Sequence, residues 1–246
     1  MDQRRVAQKR FPLLLLLHVA GAGLALGHAA EAVPRVETIV LRMGQARTEN
    51  RARLRPYSVT RDYQLFDDGK QTSRSEVTAD INFVPPDFKE FVISKVSGMR
   101  LGERIVRQML EHESDIAKDY GSTEMSPANY EFRFLRQEDF NGRNCYVLEM
   151  LPRRKTKMLL RGQIWVDSAT YLLHRVEGEP GKAPSWWLRN ARIALSYGDV
   201  GGMWLQTASE STADVRLLGR HTMLSRDLKY QTSELVAGGS VLPIGR

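Results

Sequence analysis

The chain has 246 residues, 42% of them hydrophobic and 26% charged, and it carries a formal net charge of +7. This length supports one domain with a sizeable core. Its single cysteine, Cys145, excludes an internal disulfide and is predicted to be a small packing residue in a strand. No basic cluster interleaved with aromatic residues occurs, which argues against nucleic acid as a partner and leaves a weak attraction to anionic lipid.

The N-terminal segment has the composition of an export signal. Basic residues are concentrated in residues 4–10, an apolar run covers residues 11–27, and small residues follow. This pattern predicts a cleaved signal peptide over residues 1–32, with an uncleaved membrane anchor as the alternative. Residues 33–246 are then expected to form a single periplasmic domain, with a flexible tail after about residue 233.

Two segments have the apolar spacing of amphipathic helices. The first begins after Pro34 and continues to about Asn50, with apolar residues three and four positions apart. The second covers residues 101–118, where an apolar stripe lies opposite a strongly charged side. Each helix therefore has one face that must pack against an apolar surface.

The rest of the chain is predicted to consist of strands joined by short turns. Asp68-Gly69 and Asn141-Gly142 are turn signals, and the second is typical of a hairpin. Longer loops are predicted at residues 119–127 and 177–187. The fold class is therefore predicted to be mainly β (α+β), with about 10–11 strands in a curled antiparallel sheet. The two helices should cover the apolar inside of this half-open barrel as a lid.

Residues 157–177 form the clearest predicted hairpin, with one apolar and one polar face. The apolar face of its first strand is expected to carry Met158, Leu160, Gly162, Ile164 and Val166. The opposite face is expected to carry Trp165 and Asp167, with Leu159 as an apolar exception. After the turn, the apolar face is expected to continue through Leu172, His174 and Val176.

The sequence contains no recognisable catalytic or metal-binding motif. His112, His174 and His221 are far apart; His112 is expected at the surface and His174 within the core. Zinc, calcium-loop, nucleophile-elbow and phosphate-loop patterns are missing from the sequence. We therefore expect no cofactor, no metal and no enzymatic activity. An enzyme that uses distant carboxylates on envelope polymers stays open as an alternative.

Apolar residues offer a more informative signal than polar ones. The chain has nine Met and eight Phe, several at inward positions of predicted strands, and a curled sheet can either fill its inside or leave a cavity for acyl chains. Trp186 and Trp187, beside Pro184 and Ser185, are interpreted either as an exposed contact for headgroups or a partner, or as a plug at one end of the barrel.

The order of elements, together with two hairpins, resembles a known family. The residues that carry the resemblance are Gly162, Ile164, Trp165, Val166, Asp167 and Thr170, preceded by the hairpin of Asn141, Gly142, Arg143, Tyr146, Val147 and Leu148. They resemble the outer-membrane lipoprotein-sorting superfamily, which includes the LolA, LolB and RseB types. The resemblance implies a half-open barrel over an apolar cavity that binds lipid or lipoprotein acyl chains without covalent chemistry.

Two functions follow from the pattern and the resemblance. The first is an exported protein for lipoprotein sorting or envelope lipid handling, with peripheral membrane contact. The second is an RseB-like envelope-stress sensor or protein-interaction module with envelope proteins as partners. For the first, the predicted wall of the cavity consists of Phe132, Phe134, Leu148, Met150, Met158, Leu160, Ile164, Val166, Leu172 and Val176.

Overall fold

The described part of the chain contains three helices and is otherwise largely β-stranded. The structure is a computed structural model that describes residues 33–183, 186 and 188–232. The helices are α1 (Val36–Ala52), α2 (Arg100–Lys118) and α3 (Tyr120–Thr123). The two long helices match the sequence prediction, whereas α3 is a single turn inside a segment predicted to be a loop.

Ten strands form one antiparallel sheet, in agreement with the 10–11 strands that the alternating patterns and turn residues predict. They are β1 (Tyr57–Asp67), β2 (Ser75–Val84), β3 (Phe88–Gly98), β4 (Tyr130–Phe140), β5 (Arg143–Pro152), β6 (Leu160–Asp167), β7 (Leu173–Pro180), β8 (Leu188–Val200), β9 (Met203–Val215) and β10 (Gly219–Thr232). The order across the sheet is β3-β2-β1-β10-β9-β8-β7-β6-β5-β4, so β3 and β4 are its two open edges. The predicted mainly β fold with an open antiparallel sheet is confirmed.

Both long helices lie on the same face of the sheet. Residues that are directly paired across neighbouring strands point to the same side. One such row crosses eight strands through Val77, Tyr63, Ser225, Ser209, Leu195, Val176, Ile164 and Leu148. The end of this row on β1 and β2 packs with α2, and the end on β5 to β7 packs with α1. We call this the helix-covered face.

The two helices build two separate apolar clusters on that face. α1 contributes Ile39, Val40 and Met43 to a cluster with β5, β6 and β7. α2 contributes Val106 and Leu110 to a cluster with β1, β2 and β10. Between them the row is polar, because the Ser209 and Ser225 hydroxyl oxygens lie 2.7 Å apart in a hydrogen bond.

The tight turns have the backbone that their sequences predict. Asn141 and Gly142 have φ of 54° and 77°, and the Gly142 amide donates to the Asp139 carboxylate at 2.9 Å. Successive positive φ values are typical of the two-residue turns that match the twist of a hairpin. The β4–β5 hairpin is therefore confirmed.

The hairpin of β6 and β7 departs from the prediction at two points. The pairing shifts between Trp165 and Val166, so that Val166 pairs with Leu173. This bulge brings Leu173 into the α1 cluster, and the prediction that Leu172 continues the apolar face is wrong. In addition, β7 continues to Pro180, so the loop predicted to begin at residue 177 begins at Gly181.

The start of β6 also differs from the prediction. Met158 precedes the strand and lies outside the α1 cluster, whereas its neighbour Leu159 is fully buried within it. The strand begins only at Leu160, so the alternation predicted for Met158 does not apply there. Leu159 is therefore a core residue, and its placement as an exception on the polar face is wrong.

Candidate binding groove

The family-like segment from Gly162 to Thr170 is a structural element. Gly162 pairs with Gly178, and a Cβ at Gly162 would lie 1.9 Å from the Glu177 carbonyl oxygen, so no larger residue fits. The Asp167 carboxylate accepts the Ala169 and Thr170 amides at 2.9 and 2.7 Å and the Thr170 hydroxyl at 3.0 Å. These bonds fix the turn that joins β6 to β7.

Trp165 lies on the opposite face of the sheet, as predicted. It packs with Cys145, Val147 and Phe140, and its indole nitrogen donates to Glu138. Burial raises the pKa of the Cys145 thiol to about 11, so this thiol is protonated at neutral pH and acts in packing.

Seven of the ten predicted cavity residues belong to the α1 cluster. They are Phe132, Leu148, Met150, Leu160, Ile164, Val166 and Val176. Phe134, Met158 and Leu172 lie outside it, and Phe134 instead contacts the Tyr146 ring edge-on at 6.5 Å between centroids. Five of the seven are fully buried, so α1 fills the space above β5 to β7.

The open space lies at the flank of α1, next to the edge strand β4. A groove of about 950 Å³ is found there. Its apolar lining consists of Val36, Val40, Leu41, Pro127, Tyr130 and Phe132. Of the predicted cavity residues, Phe132 is the one that lines this groove. Gly44, one helical turn after Val40, adds no side chain and leaves room beside the helix.

Two arginines border the groove where it meets the segment between α3 and β4. Arg47 donates to the Met125 carbonyl at 2.9 Å and pairs with Glu124 at 3.1 Å. Arg153 donates to the Pro127 carbonyl at 2.8 Å. These bonds hold the segment in place. The lining also includes Glu37, Glu49 and Glu131, so charges of both signs border the apolar part of the groove.

Sequence reasoning missed this position because it placed the candidate cavity on the inside of the curled sheet, under the helices. In the apolar stripe of α1, Val36 and Val40 line the groove, whereas Ile39 and Met43 are buried in the α1 cluster. Leu41 lies off that stripe and is 63% exposed, yet it lines the groove. An apolar residue on the polar side of a predicted helix was the signal that could have located the site.

α1 is attached in two different ways along its length. Near its C-terminal end, the Asn50 side chain donates to the Trp204 carbonyl at 2.9 Å and accepts the Trp204 amide at 2.7 Å. Its first half is held by the apolar contacts of Val36, Ile39 and Val40. The groove lies beside that first half.

A buried ionic network lies under α2. Arg61 on β1 pairs with Asp227 on β10, and its guanidinium lies 3.3 Å from Glu113 of α2, which also binds Lys89. Burial would raise the pKa of Glu113, but Lys89 and Arg61 outweigh it and lower that pKa. The Glu113 carboxylate is therefore charged at neutral pH. This network occupies the helix-covered face between β3 and β10.

Metal-binding and membrane-spanning features were searched in residues 33–183, 186 and 188–232. Within these ranges, no three His, Cys, Asp or Glu side chains are arranged to hold a metal ion. In the same ranges, no helix is both long and apolar enough to cross a bilayer. His174, predicted to lie in the core, packs against Trp204 with 4.8 Å between ring centroids and lies 3.5 Å from Asp167.

Comparison with known proteins gives matches among solved structures. No family model and no curated protein matches the chain. An outer membrane lipoprotein-sorting protein domain from Vibrio parahaemolyticus is 16% identical, with 77% of this chain and 91% of that chain covered and a TM-score of 0.43. The structures that match include one that is described as a LolA-superfamily protein.

Two further structures show the same similarity. A LolA-superfamily protein from Nitrosomonas europaea is 12% identical, with 86% of this chain and 96% of that chain covered and a TM-score of 0.41. A DUF1329 family protein from Desulfovibrio piger is 15% identical, with coverages of 80% and 91% and a TM-score of 0.41. At these identities the similarity concerns the fold alone.

Proposed function

We propose that the protein is an exported lipid- or lipoprotein-binding protein that holds acyl chains in the groove between α1 and β4. The observation that carries this proposal is the groove itself, about 950 Å³ and lined by six apolar residues. Ligand pockets typically measure about 300–1,000 Å³. Each methylene group transferred from water into the groove would contribute about 0.8 kcal/mol, so affinity needs no covalent chemistry.

Charges of both signs border the groove, and they favour an amphiphile over a plain hydrocarbon. Arg47 and Arg153 lie where the groove meets the segment between α3 and β4. An acyl chain on the apolar lining would bring its carboxylate or phosphate close to these guanidinium groups. Lipid handling or lipoprotein sorting in the envelope is the role that this ligand class suggests.

The attachment of α1 gives the groove a means to enlarge. Apolar contacts are non-directional, so the first half of α1 can shift over them, whereas the Asn50 bonds hold its far end. In the proposal, a longer acyl chain contacts Phe132 in the groove. It also reaches the part of the predicted wall that lies under α1, which includes Leu148 and Ile164. The predicted export signal over residues 1–32, which lies outside the described residues, supports a periplasmic location for this activity.

The test is uptake of a fluorescent fatty acid, together with mass spectrometry of lipid that copurifies with the protein. Leu41→Glu puts a charge into the groove at a position that is 63% exposed, so the fold should tolerate it. Leu228→Glu is the matched control, because Leu228 is 60% exposed and does not line the groove. We expect about a tenfold loss of affinity in Leu41→Glu and none in Leu228→Glu, since about two methylene equivalents of burial are lost.

Two results would contradict the proposal. One is purified wild-type protein with neither copurified lipid nor fatty-acid uptake, and the other is equal uptake by both variants. Ile164→Glu is unsuitable as a test, because Ile164 is fully buried under α1 and a carboxylate there would unfold the domain.

A second function is favoured by the edge strand β3. Its outer side exposes Phe88 and Val92, and no strand of the described sheet pairs with its free edge. Exposed apolar edge strands bind extended segments of other proteins by strand addition. A protein-interaction module of the sensor type would therefore use β3. Val92→Lys should abolish capture of such an envelope protein and leave fatty-acid uptake unchanged. If the variant still captures the protein, β3 is not the binding site.

A further inference from the structure

An exposed apolar tip lies at one end of the sheet. The turn between β9 and β10 presents Leu217, which is 97% exposed, and Leu218, which is 57% exposed. Trp186 is 76% exposed and lies beside this turn, with the guanidinium carbon of Arg216 5.5 Å from the centroid of its ring. We call Trp186, Leu217 and Leu218 the apolar tip. The exposure of Trp186 does not fit its interpretation as a plug; Trp187 lies outside the described residues.

The backbone at the tip adds a second observation. Leu217 has a φ of 71°, in the left-handed region that glycine and asparagine enter at lower cost. The turn is closed by the Leu218 amide, which donates to the Val215 carbonyl at 3.0 Å. A bulky apolar residue held in this conformation and left in water is unfavourable on both counts. This combination points to a use for the leucine side chain itself.

Positive charge surrounds the tip. The segments 181–192 and 213–221 contain the exposed basic residues Lys182, Arg189, Arg192, Arg216 and Arg220, and a single acidic residue, Asp214. The Asp214 carboxylate accepts the Asn190 amide at 2.6 Å and lies 4.0 Å from Arg220. In the neighbouring β1–β2 turn, Asp67 pairs with Arg74 at 2.9 Å. The same turn also contains Lys70 and Asp68, whose amide donates to the Arg220 carbonyl at 3.0 Å. The two acidic and two basic residues of this turn cancel, so the net charge around the tip remains positive.

We propose that the apolar tip docks the protein on the surface of an anionic phospholipid bilayer. Leucine side chains enter the boundary of the acyl region, tryptophan prefers the headgroup level, and basic residues bind lipid phosphates. All three kinds of residue occur together at this end of the sheet. A protein partner would need matching acidic residues around an apolar centre, whereas an anionic bilayer supplies both over its whole surface. This role is separate from the groove and does not require it.

The test is cosedimentation with vesicles made of equimolar phosphatidylethanolamine and phosphatidylglycerol, compared with vesicles of phosphatidylcholine alone. The protein is used as purified from cells, so any contribution of residues 1–32 is common to all variants. We expect the wild type to bind the anionic vesicles more tightly and to lose binding at high salt. Leu217→Asn should weaken binding about tenfold, since a buried leucine is lost. Arg216→Gln should weaken it roughly fivefold.

Controls separate docking from folding and from the groove. Asparagine tolerates the backbone of Leu217, so Leu217→Asn should be at least as stable as the wild type and should take up fatty acid normally. Leu228→Gln removes a leucine that is 60% exposed elsewhere on β10 and should bind vesicles like the wild type. Equal vesicle binding by wild type and Leu217→Asn overturns the proposal. The proposal is also overturned if Leu217→Asn loses self-association and binds vesicles like the wild type. The apolar tip would then bind a second copy of this chain.

Discussion

The two helices cover the same face of one sheet by different physical means. Above β5 to β7, α1 packs through aliphatic side chains and leaves a groove of about 950 Å³ at its flank. Above β1 to β3, α2 packs through aliphatic side chains and also through Glu113, which joins the Arg61–Asp227 pair. Apolar contacts permit sliding, whereas a buried ion pair demands one geometry. We therefore expect α2 to be the fixed part of the cover and the first half of α1 to be the adjustable part.

The largest expected effect concerns the fixed part. Asp227→Ala should lower the free energy of unfolding by about 4 kcal/mol, because it leaves the buried Arg61 charge without its main partner. Urea denaturation followed by circular dichroism measures this change. The double variant Arg61→Leu/Asp227→Leu should recover most of the stability, since no unpaired charge is then buried at this pair. A loss below about 1 kcal/mol in Asp227→Ala would show that the network does not fix α2.

The next effect tests the packing under α1 with two adjacent residues. Leu159→Ala should cost about 3 kcal/mol, because Leu159 is fully buried in the α1 cluster. Met158→Ala, one position earlier and outside the cluster, should cost about 0.5 kcal/mol or less. The same denaturation experiment compares the two. A larger cost for Met158→Ala would restore the alternation predicted from the sequence.

Sequence patterns predicted some features of the fold correctly and others incorrectly. Alternation and turn residues predicted the antiparallel sheet, the Asn141-Gly142 hairpin and the outward position of Trp165, because these depend on local geometry. The bulge at Trp165/Val166 shifted the inward residue from Leu172 to Leu173, and no local signal marks that shift. The groove was not predicted either, since it depends on where α1 comes to rest on the sheet.

A smaller effect concerns the turn beside the adjustable half. Asp167→Ala should cost about 2 kcal/mol, because the turn loses three hydrogen bonds to a carboxylate that is 4% exposed. Asp167→Asn keeps one acceptor oxygen and should lose less than half as much. Melting curves of the two variants measure the difference. Equal destabilisation by both substitutions would mean that the charge, and not the turn geometry, matters.

The smallest effect is a pH dependence in the same half. Burial lowers the pKa of His174, and the Asp167 carboxylate offsets part of this effect. In the unfolded state, His174 has its ordinary pKa of about 6.5 and binds a proton more readily than in the folded state. The free energy of unfolding therefore falls as the pH drops through that value. One group contributes at most about 1.4 kcal/mol per pH unit. Chemical denaturation at pH 7.5 and pH 5.5 (about two units apart) should show a smaller difference for His174→Gln than for the wild type. An unchanged difference would assign the effect to other groups.

The strand order has a consequence for how the chain folds. From β4 to β10 every strand pairs with its neighbour in sequence, so this meander forms from local contacts. The β1–β3 hairpins join the sheet only through the pairing of β1 with β10, which brings Tyr57 beside Thr232. Contacts between such distant residues form late, because a long loop must close first. Synthesis starts at the N-terminus. The edge of β1 that pairs with β10 therefore stays unpaired until β10 has been made.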